Sequence, residues 1–488
     1  MTDRPAPNTA EPATGQPASL RPLTIGIISI ITCAAFEAMA VTTAMPAVVE
    51  ELGGVSGYGL AFSMYLTASL LGTVIAGTWC DRVGPRPALA VGLTLMIAGL
   101  LVSGAAGEFW LVTAGRAVSG LGGGFMVVAV YVIIGGAYPQ HRQPVIFGWL
   151  SAAWVLPSLI GPAVAGYLAE EFTWRWVFLG VVPIVLAAFV MVWPKTASLT
   201  TPEPGAGNRG DGRRRSLTGM ALAGGVLAAQ FAINRLAAQG LGDSAGSIVL
   251  LLLAAGGVAV AALTFPRLLP KGTVRLARGL PSIIATRGLV TAAFFGAEAF
   301  LPLMLVTSRG MNEATAGLTL SAGALGWSAG AFVQARVTFR RQWLLVLGAS
   351  ILSTSVGGLA LVSVPTVPFW VLVVVWTLAG FAMGMTLSST SVLVLKLSPA
   401  EERGKNSSSL QLSDQMGGVV GSTIAGGLFA LLRDPSNPGQ VGVFVAIWLA
   451  LCLFAVAGIV AGSRAVLGSS DEPASPHPDT DRHGKVSS

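Results

Sequence analysis

Charge is what this sequence has little of. Only 10% of its 488 residues are Asp, Glu, Lys or Arg, against about 25% in an ordinary soluble domain. A water-soluble chain of this length could not clothe its surface with so few charges. The 53% of hydrophobic residues and the mean hydropathy of +0.73 point instead to lipid as the solvent. Cysteine and histidine are scarce too. Cys33, Cys80 and Cys452 form no paired spacing, which excludes a disulfide framework or a zinc knuckle. His141, His477 and His483 are too few for a histidine metal site or a Ser-His-Asp triad. No acid cluster stands at catalytic spacing, so an enzyme is not expected. The first apolar stretch lacks a small-residue cleavage site and reads as a retained span.

What is present is a series of apolar runs, each near the roughly 20 residues that cross a bilayer as a helix. They fall at 22–44, 59–79, 87–106, 109–136, 145–168, 174–193, 217–239, 245–264, 283–306, 314–335, 342–362, 368–394, 407–431 and 440–462, fourteen in all. The pair 217–239 and 245–264 is the least secure, since the first carries Gln230, Asn234 and Arg235; without the pair twelve spans remain, with the sidedness of everything else unchanged. These boundaries give an N-terminal tail (1–21), six spans (22–193), a linker holding two further helices (194–282), six more spans (283–462) and a C-terminal tail (463–488). Pro194 to Arg215 reads as a flexible linker, and 264–282, with four basic residues, as a segment along the membrane surface. The tail after Gly468 is rich in Ser, Pro and Asp and reads as disordered.

The net charge of +7 is topological rather than a sign of nucleic acid. With both termini inside, only Arg175, Arg309 and Arg433 fall in external segments. Arg116, Arg235 and Arg287 lie within or at the ends of spans, and every other Lys and Arg is cytoplasmic, as the positive-inside rule requires. The chain also repeats itself. Gly161-Pro-Ala-Val-Ala-Gly166 is echoed by Gly421-Ser-Thr-Ile-Ala-Gly426, and Phe36-Glu37-Ala38 by Ala297-Glu298-Ala299, at offsets of 260 and 261 residues. Spans 1–6 and 9–14 therefore read as parallel copies.

Five motifs lie in the first copy. Gly77-Thr-Trp-Cys-Asp81-Arg82-Val-Gly84-Pro-Arg86 occupies the turn between spans 2 and 3. It resembles the loop signature Gly-x-Leu-Ala-Asp-Arg-x-Gly-Arg-Lys of the major facilitator superfamily. In the second copy only a degenerate version surrounds Arg336 and Arg340, without an acid. Phe36-Glu37 through Pro46 resembles the first-span pattern of its drug:proton antiporters, with Glu in place of Asp. Val112 to Gly120 resembles the fourth-span signature, with Ser119 where Gln is usual. Pro157-Ser-Leu-Ile-Gly161-Pro162-Ala-Val-Ala-Gly166 resembles the antiporter signature of span 5, from which Pro157 and Ala165 depart. Trp174-Arg-Trp-Val-Phe178 is similar to the span 6 motif of the fourteen-span branch. The resemblance covers most of 30–180.

It implies an all-α polytopic membrane protein with the major facilitator fold, two six-helix bundles plus two extra linker helices. Gly77, Asp81, Arg82, Gly84 and Arg86 would form a conformational latch, and Gly161, Pro162 and Gly166 the bend associated with export. By residue count Glu37 and Arg116 both lie about 10–12 Å below the same surface and can meet. An ionised carboxylate in hydrocarbon is costly, so an intramembrane acid is functional or paired. Glu37 with Arg116 is the expected proton-coupling pair, and Glu298, Asp414 and Gln411 the candidates for substrate charge or a second proton. The Gly120-Leu-Gly-Gly-Gly124 run reads as a packing face, because no strand precedes it.

The expected function is proton-coupled antiport of small amphipathic compounds by alternating access. A proton-coupled uptake symporter and a non-transporting membrane sensor are the alternatives. No cofactor or metal is expected, the proton gradient being the energy source. The expected partners are a lipophilic small molecule, protons and the lipid bilayer, with no nucleic acid. The chain is expected to be a monomer in a bacterial plasma (inner) membrane with both termini cytoplasmic.

Overall fold

The structure, a computed structural model, describes residues 20–139, 142–196, 209–239, 245–337, 341–399, 402–434 and 440–465. All regular elements among them are helical. In chain order they are α1 (Arg21–Leu52), α2 (Tyr58–Val83), α3 (Pro85–Gly104), α4 (Phe109–Ala137), α5 (Gln143–Glu171), α6 (Arg175–Leu179), α7 (Val182–Val192), α8 (Arg209–Gln239), α9 (Ala245–Leu268), α10 (Leu280–Arg309), α11 (Glu313–Arg336), α12 (Arg341–Val362), α13 (Phe369–Leu397), α14 (Arg403–Leu432) and α15 (Val441–Ala465). Thirteen helical segments are long and apolar enough to cross a membrane, α6 and α7 counting as one, and the 29-residue α5 makes a fourteenth.

Local chemistry sets the breaks. Gly84, at φ +90°, ends α2, and Pro85 opens α3 with its ring already at a helical φ. Gly310, in the left-handed region, stops α10, and Asn312 caps α11 by accepting from Thr315 N at 3.0 Å. The sixth span is split at Gly180, with Pro183 in the first turn of α7.

Small residues then decide which helices touch. Gly120 and Gly124 of α4 lie against the backbone of α2, and Gly122 against α3, so a side chain at any of them would collide. The second bundle repeats the arrangement. Gly326 and Gly330 of α11 face α13, Gly380 and Gly384 face back, and Gly417 and Gly421 of α14 lie on α10. Packing of α1 on α5 and α2 on α4 is thus mirrored by α10 on α14 and α11 on α13.

Consecutive spans alternate in direction, so one end of the bundle carries the start of α1 and the end of α15. The two bundles meet at the other, distal end. There Gly166 abuts the Glu313–Ala314 backbone, Gly317 the Pro162 carbonyl, and Gly59 the backbone of Gly426. Tyr58 packs on Phe300 at 5.1 Å, and Asn312 Nδ2 donates to Glu170 at 3.0 Å. At the terminus-bearing end the principal partners of α4 and α13 lie within their own bundles. The bundles are joined at this distal end, and towards the termini α4 and α13 are not paired across them to a comparable extent among the described residues.

α8 packs on α2 and α14 beside this seam, and α9 packs on α8 with most of its surface outward. One boundary differs from expectation. Arg209 to Arg215 is the first part of α8 rather than linker, leaving 197–208 of that stretch outside the described residues. The segment after α9 folds into a series of turns. Thr273 donates to Pro270 O at 2.8 Å, and Arg464 O accepts from Gly279 N at 3.1 Å. The tail beyond 465 lies outside the described residues.

A β-carbon on Gly124 would strike Ser69 O and Thr73 N, whereas one on Gly77 meets nothing within 4 Å. Gly124→Val is expected to cost about 1–3 kcal/mol through overpacking. Gly77→Ala should hold or raise stability, by up to about 1 kcal/mol, as in any helix interior. Thermal unfolding of the two purified variants checks this. Equal melting temperatures would mean that the α2–α4 contact is looser than described.

Candidate functional site

In the first bundle, α1, α2 and α4 come together around Glu37 and Arg116. Arg116 Nη1 donates to Glu37 Oε1 at 2.5 Å, and both side chains are essentially fully buried. Ser119, one turn along α4, donates to the same oxygen at 3.1 Å. The guanidinium lies 4.2 Å from the centroid of the Tyr65 ring, whose electron-rich face supplies a second stabilisation without a second anion. Glu37 Oε2 and Arg116 Nε are buried with no hydrogen-bond partner. The pair is neutralised but incompletely solvated by protein, and an incomplete buried network is costly. The expected meeting of Glu37 with Arg116 is therefore present. Tyr65 and Ser119 complete the site, and no sequence pattern had marked Tyr65.

The second bundle holds a different pair. Arg287 of α10 donates to Asp414 of α14 through Nε at 2.8 Å and Nη2 at 3.3 Å. Thr291 donates to Asp414 Oδ1 at 2.7 Å. Arg287 Nη1 reaches Leu387 O at 3.0 Å, Ser391 Oγ at 3.1 Å and Thr390 Oγ1 at 3.3 Å on α13. This pair is more fully bonded than the first and less buried, at 11% and 17% exposure. Tyr131 of α4 is exposed opposite it and lies within electrostatic reach of Arg287. Asp414 is thus already neutralised in its own bundle. Gln411 stands exposed and makes no hydrogen bond among the described residues. Arg287 is the partner that sequence reading left unassigned.

Glu298 is unlike both. At about 100° per residue it lies within about 20° of Arg287 around α10, one long step of about 16 Å further along. It is half-buried, and among the described residues it has neither an ion pair nor a hydrogen bond. Its repeat counterpart Glu37 has Arg116, but 260 residues after Arg116 stands Trp376. Trp376 stacks on Phe294 at 4.8 Å, with its indole N–H unbonded. The site thus offers one acid clamped in a dry site, one neutralised within its own bundle, and one unpaired acid on the same face of α10.

The remaining motif residues are placed as follows. Arg86 lies over the Trp193 ring at 4.3 Å, inside its own bundle, and Arg82 is exposed. The Asp81 side chain lies outside the described residues. The Gly77–Arg86 turn joins α2 to α3 at the terminus-bearing end. Gly161 faces Phe36 and Met39 of α1, while Pro162 and Gly166 form the distal contact with α11. The Trp174–Arg175 motif is a distal clamp on α1. Arg175 Nη1 and Trp174 Nε1 donate to Glu51 at 2.6 and 2.8 Å, and Arg175 Nη2 donates to Ala106 O at 3.0 Å.

Comparison with known proteins agrees with this geometry. The sequence matches the profile of the Major Facilitator Superfamily over residues 27–367 and 287–487. It is 23% identical over 428 residues to the multidrug efflux pump SdrM of Staphylococcus aureus (strain N315), covering 87% of this chain and 93% of that one. It is also 23% identical over 434 residues to the probable multidrug-efflux transporter Rv1634 of Mycobacterium tuberculosis (strain ATCC 25618 / H37Rv), at 86% and 89% coverage. In fold it is similar to the POT family transporter PepTSo, with TM-score 0.64, 16% identity and coverage of 92% and 98%. It is similar also to a bacterial homologue of the human lysosomal transporter Spinster in an inward-facing, unoccupied conformation, with TM-score 0.63, 14% identity and the same coverage.

Removing one partner of a buried pair leaves the other charge stranded, at a cost of about 3–5 kcal/mol. Arg116→Gln is expected to lose about that much stability, and Glu37→Gln with Arg116→Gln to recover most of it. Unfolding of the single and double variants measures the difference. Additive losses would mean that the two residues do not act as a pair.

Proposed function

The chain belongs to the major facilitator superfamily, and on that premise we propose that it exports small amphipathic compounds in exchange for protons. The observation that carries the reading is the Glu37–Arg116 pair, an acid held by one arginine with its second oxygen unsatisfied. A proton arriving on Glu37 removes the attraction that holds α1 to α4. Arg116 then keeps the Tyr65 ring and the α4 backbone around it, and the bundle relaxes. Loss of the proton restores the clamp. Neutralising one member of a buried charge pair strands the other, and relief of that cost is what couples protonation to movement.

The less paired end supplies the other half of the exchange. The basic residues gather at the terminus-bearing end, and by the positive-inside rule that end faces the cytoplasm. Both termini then lie in the cytoplasm, and that end of the structure receives substrate from there. Glu298, unpaired among the described residues and one turn along α10 from Phe294 and Phe295, which pack on Trp327, suits the cationic head and apolar body of a lipophilic cation. Asp414, held by Arg287, supplies a second charge pair that substrate or proton can perturb. Alternating access follows as rocking of the bundles, and the Gly77–Arg86 turn latches the cytoplasmic end when it closes. The multidrug-efflux relatives support drug-like compounds as the cargo. The reading places the protein as a monomer in the plasma membrane of a bacterium.

Proteoliposomes with an acidic lumen and a pH-sensitive dye test this. Tetraphenylphosphonium added outside should release luminal protons, and Glu37→Gln should abolish the response. Glu298→Gln should weaken the response to tetraphenylphosphonium about tenfold while sparing an uncharged substrate, because the coulombic attraction of the carboxylate for the cation is lost. Proton movement in the same direction as the substrate would replace export with symport. An unaltered response in Glu37→Gln would remove that residue from the proton path.

A further inference from the structure

The two helices between the bundles have no role in the exchange described so far, yet α8 touches both bundles along its length. Arg215 reaches Ser409 of α14 at 3.4 Å, and Gly219 lies under Val74 of α2. Leu222 and Val226 pack in one apolar cluster with Leu70 of α2 and with Met416 and Val419 of α14. Asn234 donates to Ser56 O at 3.4 Å near the distal end. Between these contacts sits Gln230, 2% exposed. Its Oε1 accepts from Thr67 of α2 at 3.2 Å, and its Nε2 donates to Thr423 of α14 at 2.9 Å.

One amide therefore bonds two hydroxyls that belong to different bundles. It does so about two turns along α2 from Gly59 and one turn along α14 from Gly426, where the two backbones meet. An amide in the middle of a membrane helix is costly unless its hydrogen bonds are made, so its presence asks for a purpose that Leu would not serve. The bond is also made to be exchanged. The Thr67 hydroxyl has Ser63 O at 2.8 Å as a second acceptor, and loses nothing when Gln230 lets go. Any motion that separates the distal ends of α2 and α14 by more than an ångström or two leaves the amide able to hold one hydroxyl and not both.

We propose that Gln230 is a positioning residue for transport, a staple that favours the state in which the bundles are closed distally and open towards the termini. α8 in this role is a third body at the seam rather than a spacer between bundles. A neutral amide suits the task. It gives direction and reversibility without placing a charge at the lipid-facing seam, where no counter-charge lies close. The inference rests on the alternating-access reading above, and its test separates the two.

The test uses the full chain in lipid nanodiscs, with spin labels at positions 142 and 402, exposed turns at the terminus-bearing end of each bundle. Pulsed dipolar spectroscopy then gives the ratio of wide to narrow separations. Gln230→Leu should lower that ratio about fivefold, the worth of roughly one net hydrogen bond. Thr423→Val should lower it similarly, and the double variant no further than either single one. Gln230→Asn, too short to reach both hydroxyls, should behave as Gln230→Leu. A ratio that shifts with pH in the parent chain but is the same in all three Gln230 and Thr423 variants would overturn the staple and leave alternating access standing. A single separation, unmoved by pH, by tetraphenylphosphonium or by Glu37→Gln, would overturn alternating access and the staple with it. If Gln230→Leu does not fold, Thr67→Val and Thr423→Val carry the test, since each removes one arm and keeps the side-chain shape.

Discussion

A guanidinium buried among membrane helices must be answered by an acid, a ring face or backbone carbonyls, and this requirement organises both bundles. Arg116 is answered by Glu37 and by Tyr65, which ties three helices into one junction. Arg287 is answered by Asp414 and by three oxygens of α13, tying α10, α13 and α14. Lipid offers neither pair an alternative partner, so each pair either stays closed or is opened by something that changes its charge. Apolar packing surrounds these junctions and gives them their rigidity. It does not distinguish one state of the molecule from another, because sliding Leu past Val in hydrocarbon has little effect on free energy.

The helices were legible in the sequence because lipid leaves the backbone no other choice, and a run of about 20 apolar residues says so directly. The Glu37–Arg116 pair was legible for a related reason. Both residues are out of place in hydrocarbon, and counting from span ends brought them to one depth. Asp414 was marked by the same logic, but its partner Arg287 lay near the start of the span 283–306, where a charge is easily taken for an interfacial one. The repeat then gave a half-correct lesson. Glu298 does occupy the place of Glu37, yet the partner position holds Trp376 instead of a second arginine. Repeats preserve backbone pairing, which glycine contacts enforce, more faithfully than the polar chemistry laid over it. Tyr65 escaped notice because an aromatic residue in an apolar span carries no mark of its partner until the helices are assembled.

The extra helices show the opposite relation. Gln230, Asn234 and Arg235 made 217–239, with its neighbour 245–264, the least secure part of the span pattern. Two of those three residues now prove to be the ones that bond to neighbouring helices. A window average treats a polar residue as evidence against a span, since it cannot see whether the residue faces lipid or a partner. α9 scores far better and buries far less, because its surface is mostly turned outward. Hydropathy measures fitness for lipid contact. A helix that works at an interior seam is therefore underrated by it.

The two bundles share a backbone plan and differ in where charge is left uncompensated. In the first, an acid and an arginine neutralise each other out of reach of solvent. In the second, the equivalent acid is bare, and the arginine has moved nearer the terminus-bearing end, with its own acid. If both bundles had kept the first arrangement, the centre would hold two sealed pairs and nothing to attract a cation. If both had kept the second, the centre would hold two bare acids, whose repulsion would favour protonating one of them before any substrate arrived. The mixed arrangement separates the tasks. On the proposed reading, the sealed pair answers to a proton and the bare acid to a larger cation. That division requires the copies to diverge at Arg116 and Trp376 while the glycine faces beneath them stay matched, and the helices pair in the same way in both halves while these two side chains do not.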